Sequence, residues 1–401
     1  MKVLGLASLV AVTLSVPAYA NESVNLNGNV EATLKKHVGK DGWAFYEVDM
    51  EPNNGMPCCY QKSGKQGCDL SKRKNYWGAT HDSKSDDSDT LRVFYQWDGK
   101  AVSDLFIAGS ECPVAVGNSV LTEIAQVSSK QSAQFLNQLV NNARRDRINS
   151  SALAALANHK GSDAQNALQK LTRSNNQETR ENAIFWMGQA RNAAGFEFLD
   201  ELLSDSSVDG NSKERAIFAL SVNSDKRADQ KLLSIAEKHG NQELRGKALF
   251  WLAQDSNKEA LPLIKKILKQ KNNEDLIDKT VFSLAEFKSQ EARDLLKDIA
   301  LQHQSSYVRS KAIFWLSQDR DEEAYDVLMK IVQEENTSRE IKESTVFAIS
   351  QLNDKLAAKG LIELIQNSND RTIKKKAIFW LGQMDSDEAT SYIESLLVAA
   401  D

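Results

Sequence analysis

The dominant feature of the hydrophobic pattern is an apolar block that recurs along the second half of the chain. The blocks AIFWMGQ, from Ala183, and AIFWLGQ, from Ala377, are nearly identical, and five related blocks lie between them. The central phenylalanines of the seven blocks are always 32 or 33 residues apart: Phe185, Phe218, Phe250, Phe282, Phe314, Phe347 and Phe379. A fixed period of this length predicts an array of stacked structural repeats.

Each repeat is predicted to contain two helices separated by a short polar turn. The apolar block forms the first helix, and the second is amphipathic, as Leu261, Ile264 and Leu268 show by their spacing on one helical face. Ten residues after each phenylalanine stands a small residue that suits close helix approach: Gly195, Ala228, Ala260, Ala292, Ala324, Ala357 and Ala389. Five residues before six of the phenylalanines stands a basic residue: Arg180, Lys213, Arg245, Arg309, Lys342 and Lys374.

The seven phenylalanines are predicted to form the core of the repeats. One repeat cannot bury its apolar block alone, whereas stacked neighbours bury these blocks together. If Phe282 is fully buried, its replacement by alanine should lower the free energy of unfolding by about 3–5 kcal/mol.

Tryptophan follows the phenylalanine only in alternate repeats. The four positions are Trp186, Trp251, Trp315 and Trp380, and in each of these repeats a glutamine follows three residues later. One interpretation is interlocking of large and small residues in a continuous core, because two adjacent aromatic residues in an apolar block are usually buried. The other is an aromatic ladder on an exposed face that binds an extended partner.

The array becomes less regular towards its N-terminal end. One period before Phe185 lies Leu153, and a further period back lies the segment 119–121, with residues 135–140 as its possible second helix. Eight repeats and a doubtful ninth are therefore predicted, within a helical domain at residues 117–401.

Residues 21–116 have a different composition and predict a small β-containing module. Residues 43–50 read as one strand, and residues 91–97 and 101–107, joined through Asp98-Gly99, read as a hairpin. All four cysteines of the chain lie here: Cys58, Cys59, Cys68 and Cys112. An even number predicts disulfides, and a bridge between neighbouring Cys58 and Cys59 would be strained, so each is expected to pair with Cys68 or Cys112. A metal site and a reactive or switching cysteine stay open as alternatives.

The first twenty residues predict a cleaved signal peptide. Lys2 precedes an apolar stretch, and Ala18-Tyr19-Ala20 provides the small residues that signal peptidase requires. The stretch is shorter than the ~20 residues of a membrane span, and no later segment is long and apolar enough for one. We therefore expect export, with the periplasm as destination and no stable membrane insertion.

The net charge of the chain is −5, and its basic residues do not form a concentrated stripe. This argues against a nucleic-acid partner.

The AIFWLGQ-type period resembles the HEAT-repeat family in its short bacterial form. This resemblance covers residues 119–397 and implies a right-handed α-solenoid of helix pairs that acts as a protein-binding scaffold. Deoxyhypusine hydroxylase, an enzyme with similar repeats, binds iron through His-Glu pairs, and no His-Glu dipeptide occurs in this sequence. The order of MPCCYQ, GCDL and ECPV before the repeats also resembles a group of exported bacterial HEAT-repeat proteins to which no activity is assigned.

The sequence favours a non-catalytic scaffold that binds a protein partner through the solenoid and needs no cofactor. A first alternative is an envelope redox or stress sensor that uses Cys58 and Cys59. A second is an enzyme whose catalytic residues come together only in the fold, where sequence motifs do not reveal them.

Overall fold

The computed structural model describes residues 22–52, 56–59, 67–71, 85–86, 89–142, 146–269 and 274–398. It divides into two compact units, Met1–Asp225 (unit 1) and Lys226–Asp401 (unit 2). The predicted signal peptide lies outside the described residues. The prediction of a mostly α-helical repeat protein preceded by a small β-containing cysteine module is confirmed.

Unit 1 begins with a β-sheet module. Its strands are β1 (Glu22–Asn25), β2 (Gly42–Asp49), β3 (Met56–Pro57), β4 (Cys68–Asp69), β5 (Ser85–Asp86), β6 (Thr90–Trp97), β7 (Val102–Gly109), β8 (Val114–Ala115) and β9 (Leu121–Ala125). Five form one sheet in the order β1-β9-β2-β6-β7, and the pairs β3-β5 and β4-β8 form two small sheets. The predicted strand and hairpin are confirmed as β2 and as the antiparallel pair β6 and β7.

The main sheet is buried on both faces, as the alternation along β2 shows. Ala44 and Tyr46 face a core shared with helices, whereas Trp43 and Phe45 face a second core that contains the cysteines. The Tyr46 hydroxyl bonds to Ser132 on the helical side at 2.8 Å. Burial raises the pKa of Tyr46 to about 12, so the hydroxyl stays protonated. The sheet therefore supports the repeats on one side and the disulfides on the other.

The segment predicted to open a ninth repeat is a strand instead of a helix. Residues 121–125 form β9, which pairs in parallel with β1 and β2. The module therefore extends beyond the predicted boundary at residue 116, and the doubtful ninth repeat is wrong. The extrapolated period failed because strand pairing with segments far away in sequence determines this conformation.

Unit 1 also contains seven helices in its described residues. They are α1 (Val30–His37), α2 (Ser129–Asn142), α3 (Asp146–Asn158), α4 (Ser162–Leu171), α5 (Gln177–Ala190), α6 (Asn192–Ser204) and α7 (Gly210–Ser221). Of these, α1, α2 and α3 contact the main sheet directly. Leu136 of α2, Leu153 of α3 and Met187 of α5 belong to the same buried cluster as Tyr46 and Leu105 of the sheet. The sheet and the first repeats thus share one hydrophobic core.

A buried ion pair joins the end of β2 to the repeats of unit 1. The Arg191 side chain is 1 % exposed and bonds through Nη1 to Glu51 Oε1 at 2.5 Å. Its Nη2 donates to the carbonyl oxygens of Leu156, at 2.6 Å, and His159, at 2.8 Å. Burial lowers the pKa of Arg191, and the Glu51 carboxylate opposes this shift. The guanidinium therefore depends on Glu51 for compensation of its charge.

Unit 2 consists of helices throughout its described residues. They are α8 (Arg227–Lys238), α9 (Gln242–Gln254), α10 (Ala260–Lys269), α11 (Glu274–Ala285), α12 (Gln290–Gln302), α13 (Ser306–Ser317), α14 (Glu322–Gln333), α15 (Arg339–Ser350), α16 (Asp354–Asn367), α17 (Arg371–Leu381) and α18 (Asp387–Val398). Along the chain, α3 to α18 are eight successive helix pairs, as predicted for the eight regular repeats.

Polar residues fix where the first helix of each repeat begins. In six repeats the N-cap side chain stands nine residues before the phenylalanine and accepts a backbone N–H bond: Asn176, Asp209, Asn241, Ser305, Ser338 and Asp370. The basic residue four positions later also has a structural role in unit 2. Arg245 Nε donates to the Ala236 carbonyl at 2.9 Å, and Arg309 Nε to the Ala300 carbonyl at 3.1 Å. These carbonyls end the preceding helices, where a cation is favourable.

Candidate partner-binding face

The repeat phenylalanines lie at the surface of the repeats and not in their core. Phe185, Phe218, Phe250, Phe282, Phe314 and Phe347 are half-buried. Phe379 is 57 % exposed. Their prediction as core residues is therefore wrong. In these first six repeats the core position belongs to the fully buried residue just before the phenylalanine: Ile184, Ile217, Leu249, Val281, Ile313 and Val346. Successive residues point about 100° apart on a helix, so a phenylalanine that follows two buried residues is turned away from the interior.

In unit 2 the rings form a continuous surface that we call the aromatic ribbon. Its members, in spatial order, are Trp251, Phe250, Phe282, Trp315, Phe314, Phe347, Trp380 and Phe379. Centroids of neighbouring rings are between 4.9 Å, for Phe282–Trp315, and 6.5 Å, for Phe314–Phe347. These distances fit favourable aromatic contacts. The ribbon thus presents connected aromatic rings on the first helices of five successive repeats, α9, α11, α13, α15 and α17.

Unit 1 carries a smaller group of the same kind. Phe185 stacks on Phe218 at 5.5 Å and meets Trp186 edge to face at 5.2 Å. The Arg215 guanidinium lies over both phenylalanine rings, 5.1 Å from the Phe185 centroid and 4.9 Å from that of Phe218. This is a cation–π arrangement, which holds the two rings in register.

The alternation of tryptophan follows from the contacts within the ribbon. Trp315 touches Phe314 of its own repeat and Phe282 of the preceding one, and it is half-buried. Where the small residues Ser283 and Ala348 stand in place of tryptophan, they are fully buried. The alternation of tryptophan with small residues and the row of aromatic rings are therefore features of the same packing. The tryptophans pack against phenylalanines at the surface of the repeats.

Along one edge of the ribbon, lysines are paired across neighbouring repeats. Each stands three residues before a ribbon phenylalanine, one helical turn away. The ion pairs join Lys279 to Glu243 (3.1 Å), Lys311 to Asp278 (3.0 Å) and Lys376 to Glu343 (3.2 Å). Hydrogen bonds from Lys376 and Arg339 lower the pKa of Glu343, so this acid stays ionised at neutral pH. The row is therefore neutralised within the protein.

Four residues after the phenylalanines, glutamines stand at or just beyond the C-terminal ends of the first helices. In unit 2 they are Gln254, Gln318, Gln351 and Gln383, and Glu286 takes this position in the remaining repeat. Gln254 Nε2 donates to Glu286 Oε2 at 2.9 Å. The exposed amides of Gln318 and Gln383 offer a donor and an acceptor each to a bound chain. Unit 1 has its counterpart in the exposed Gln189.

The cysteine module holds two disulfides, which confirms that part of the sequence prediction. Cys58 pairs with Cys112, and Cys59 pairs with Cys68. The sulfur atoms of Cys58, Cys68 and Cys112 lie within 4.8 Å of one another, as in a three-ligand metal site. Metals bind thiolates, however, and all four cysteines are oxidised, so these sulfur atoms do not form a metal site in this state.

The described histidines do not form a ligand cluster with one another. His159 is buried, its Nδ1 lies 3.0 Å from the Lys160 carbonyl, and burial lowers its pKa, so it is neutral near pH 7. His303 Nε2 lies 3.1 Å from the Leu268 carbonyl in unit 2. Within the described residues, every helix is too short or too polar to cross a bilayer.

A family model for HEAT repeats matches residues 228–301, 266–350 and 293–381. These windows together cover the first helices that carry most of the ribbon. No curated protein sequence matches the chain.

Three solved structures are similar to this chain over more than half of its length. Human deoxyhypusine hydroxylase is 14 % identical, with 63 % of this chain and 96 % of that chain covered and a TM-score of 0.27. The CpcE–CpcF complex of phycocyanin lyase from Nostoc is 18 % identical, with 57 % and 92 % covered and a TM-score of 0.30. The karyopherin Kap121p, bound to the C-terminus of the phosphatase Cdc14p, is 10 % identical, with 68 % and 36 % covered and a TM-score of 0.38.

Proposed function

Because residues 228–381 of this chain are HEAT repeats, we propose that the protein is a non-catalytic scaffold that binds a protein partner through the aromatic ribbon. The observation that carries this proposal is the half-exposed state of eight connected aromatic rings on one face of unit 2. Connected apolar surface of this kind marks interaction sites, and tryptophan is among the residues that contribute most to binding energy.

The borders of the ribbon indicate the chemistry of the partner. The lysine row is already neutralised by acids of the neighbouring repeats, so a charged partner would have to break those pairs. The glutamines at the ends of the first helices present side-chain amides, which suit the N–H and C=O groups of an extended main chain. We therefore propose an extended, weakly charged polypeptide segment with apolar side chains as the ligand.

Replacing Trp315 by alanine should reduce partner capture at least about tenfold, a loss of about 1.4 kcal/mol. Trp315 lies between Phe282 and Phe314, so its removal divides the ribbon in two. The measurement is crosslinking of the full-length chain in its own cells, followed by quantitative mass spectrometry of captured proteins. Capture is expected to change little between low and high salt, because the bordering charges are paired within the chain.

A matched control is Phe198→Ala, which removes a half-buried phenylalanine of α6 that lies outside the ribbon. Wild type and Phe198→Ala should capture the same partner in equal amounts. Equal capture by Trp315→Ala would refute a role for the ribbon, and steep loss of capture with salt would refute a weakly charged ligand.

We further propose that the chain acts outside the cytoplasm, in the periplasm. The charged N-terminus, the apolar stretch and Ala18-Tyr19-Ala20 support this proposal, and two disulfides suit an oxidising compartment.

Sequencing the N-terminus of the protein purified from its own cells should therefore give Asn21 as the first residue. Signal peptidase cleaves after a small-x-small pattern, which here ends at Ala20. Fractionation should place this processed form in the periplasm. A mature protein that retains Met1 and Lys2 would contradict cleavage, and a cytoplasmic location would contradict export.

A further inference from the structure

The two disulfides of unit 1 lie directly against each other. Cys68 Sγ, bonded to Cys59, is 3.8 Å from Cys112 Sγ, which is bonded to Cys58. The contact is set by the backbone, because Cys68 of β4 pairs with Val114 of β8 and donates its N–H to the Pro113 carbonyl at 2.8 Å.

The four cysteines are unequally buried. Cys58 and Cys112 are each 1 % exposed and Cys68 is 4 % exposed, whereas Cys59 is only half-buried. Disulfides are opened by a thiolate that attacks one sulfur atom, and access decides which atom is attacked. An external thiol therefore meets Cys59 first, and the group that leaves is the Cys68 thiolate.

The structure also stabilises that leaving group. The backbone N–H of Cys59 donates to Cys68 Sγ at 3.3 Å. A hydrogen bond to the charged form of a group favours that form. The thiolate is thus released into a site with a donor on one side and a disulfide sulfur on the other.

We propose that these four cysteines form a thiol–disulfide exchange relay that takes up a small thiol at Cys59. The incoming thiolate forms a bond to Cys59 Sγ and breaks the Cys59–Cys68 bond. The released Cys68 thiolate then bonds to Cys112 Sγ, which breaks the Cys58–Cys112 bond and frees Cys58 as a thiolate. One thiol is consumed and one thiol, that of Cys58, is formed. Two disulfide bonds are present before the exchange, and two are present after it: the mixed disulfide at Cys59 and the Cys68–Cys112 bond. Because Cys59 is itself half-buried, we expect only a small thiol to reach it.

The test uses the folded full-length protein and glutathione at about pH 8.5, where a cysteine thiol is half ionised. The reaction is stopped with iodoacetamide, and the peptides are mapped by mass spectrometry without reduction. The relay predicts glutathione on Cys59, a Cys68–Cys112 disulfide and alkylated Cys58. Alkylation of Cys68 with an intact Cys58–Cys112 bond would overturn it, as would the absence of any adduct on the folded protein.

Two double variants serve as matched controls, each lacking one disulfide. In Cys58→Ser/Cys112→Ser the second step has no target, so glutathione should remain on Cys59 with Cys68 alkylated. In Cys59→Ser/Cys68→Ser the first step has no target, and the buried Cys58–Cys112 bond should stay intact for as long as circular dichroism shows the native fold. Rapid reaction of that folded variant would show direct attack on the inner bond and would overturn the relay.

Discussion

Glu51→Ala is expected to lower the free energy of unfolding of unit 1 by about 3–5 kcal/mol, because it leaves a buried charge without its partner. The Arg191 side chain is 1 % exposed, whereas that of Glu51 is 23 % exposed. Removing the carboxylate leaves a guanidinium that is buried in the native structure and that still donates to the carbonyl oxygens of Leu156 and His159. Urea unfolding followed by circular dichroism measures the loss.

The double variant Glu51→Leu/Arg191→Met should recover most of that stability, because apolar residues of similar size replace both charges. Glu237→Ala is the matched surface control. It breaks the exposed pair with Lys266 and should leave the free energy of unfolding almost unchanged, because water solvates both charges when they are separated. If Glu51→Ala and Glu237→Ala cost the same, the buried pair has no special role.

The repeat helices could be predicted because local signals agree with the period. N-cap residues such as Asn241 and Ser305 stand at the same distance before each phenylalanine, and small residues such as Ala260 mark the second helix. Each of these signals acts within one or two helical turns, so it can be read from the sequence. The basic residues five positions before the phenylalanines carry the same kind of information, since Arg245 and Arg309 bond to the ends of preceding helices.

Which residue of an apolar block faces the core could not be predicted in the same way. A run such as Ala312-Ile313-Phe314-Trp315 spans most of the helix circumference, so its hydrophobicity does not define one face. The orientation depends on neighbouring repeats, which bury Ile313 and leave Phe314 at the surface. Polar residues near Phe314 do indicate its orientation. A lysine stands three residues before it and a glutamine four residues after it, and residues at these spacings share one side of a helix.

Contacts between distant segments could not be predicted either. Leu121–Ala125 pairs with strands almost a hundred residues earlier, and Arg191 meets Glu51 across 140 residues. Four cysteines allow three connectivities, and the argument against a Cys58–Cys59 bond removes one. The fold selects Cys58–Cys112 with Cys59–Cys68 from the other two, and sequence spacing does not encode that choice.

Leu284→Ala and Phe282→Ala replace residues that lie two positions apart on α11. We expect Leu284→Ala to cause the larger loss of stability and Phe282→Ala the larger loss of binding. Leu284 is 1 % exposed, so its truncation leaves a cavity and should cost about 2–5 kcal/mol in the free energy of unfolding of unit 2. Phe282 is half-buried and contacts Phe250 and Trp315. Its truncation loses partial burial and two ring contacts, each worth about 0.5–1.5 kcal/mol, so we expect a cost of about 1–3 kcal/mol.

Partner capture should show the reverse order at a temperature where both variants stay folded. Phe282→Ala interrupts the ribbon between Phe250 and Trp315 and should reduce capture about tenfold, whereas Leu284→Ala leaves the ring surface in place. Urea unfolding and crosslinking of the same two preparations measure both effects. If Phe282→Ala lowered the free energy of unfolding by about 3–5 kcal/mol, the phenylalanines would have to be regarded as core residues. If Phe282→Ala lost little stability and captured the partner as well as wild type does, the ribbon would be a surface feature that does not bind the partner.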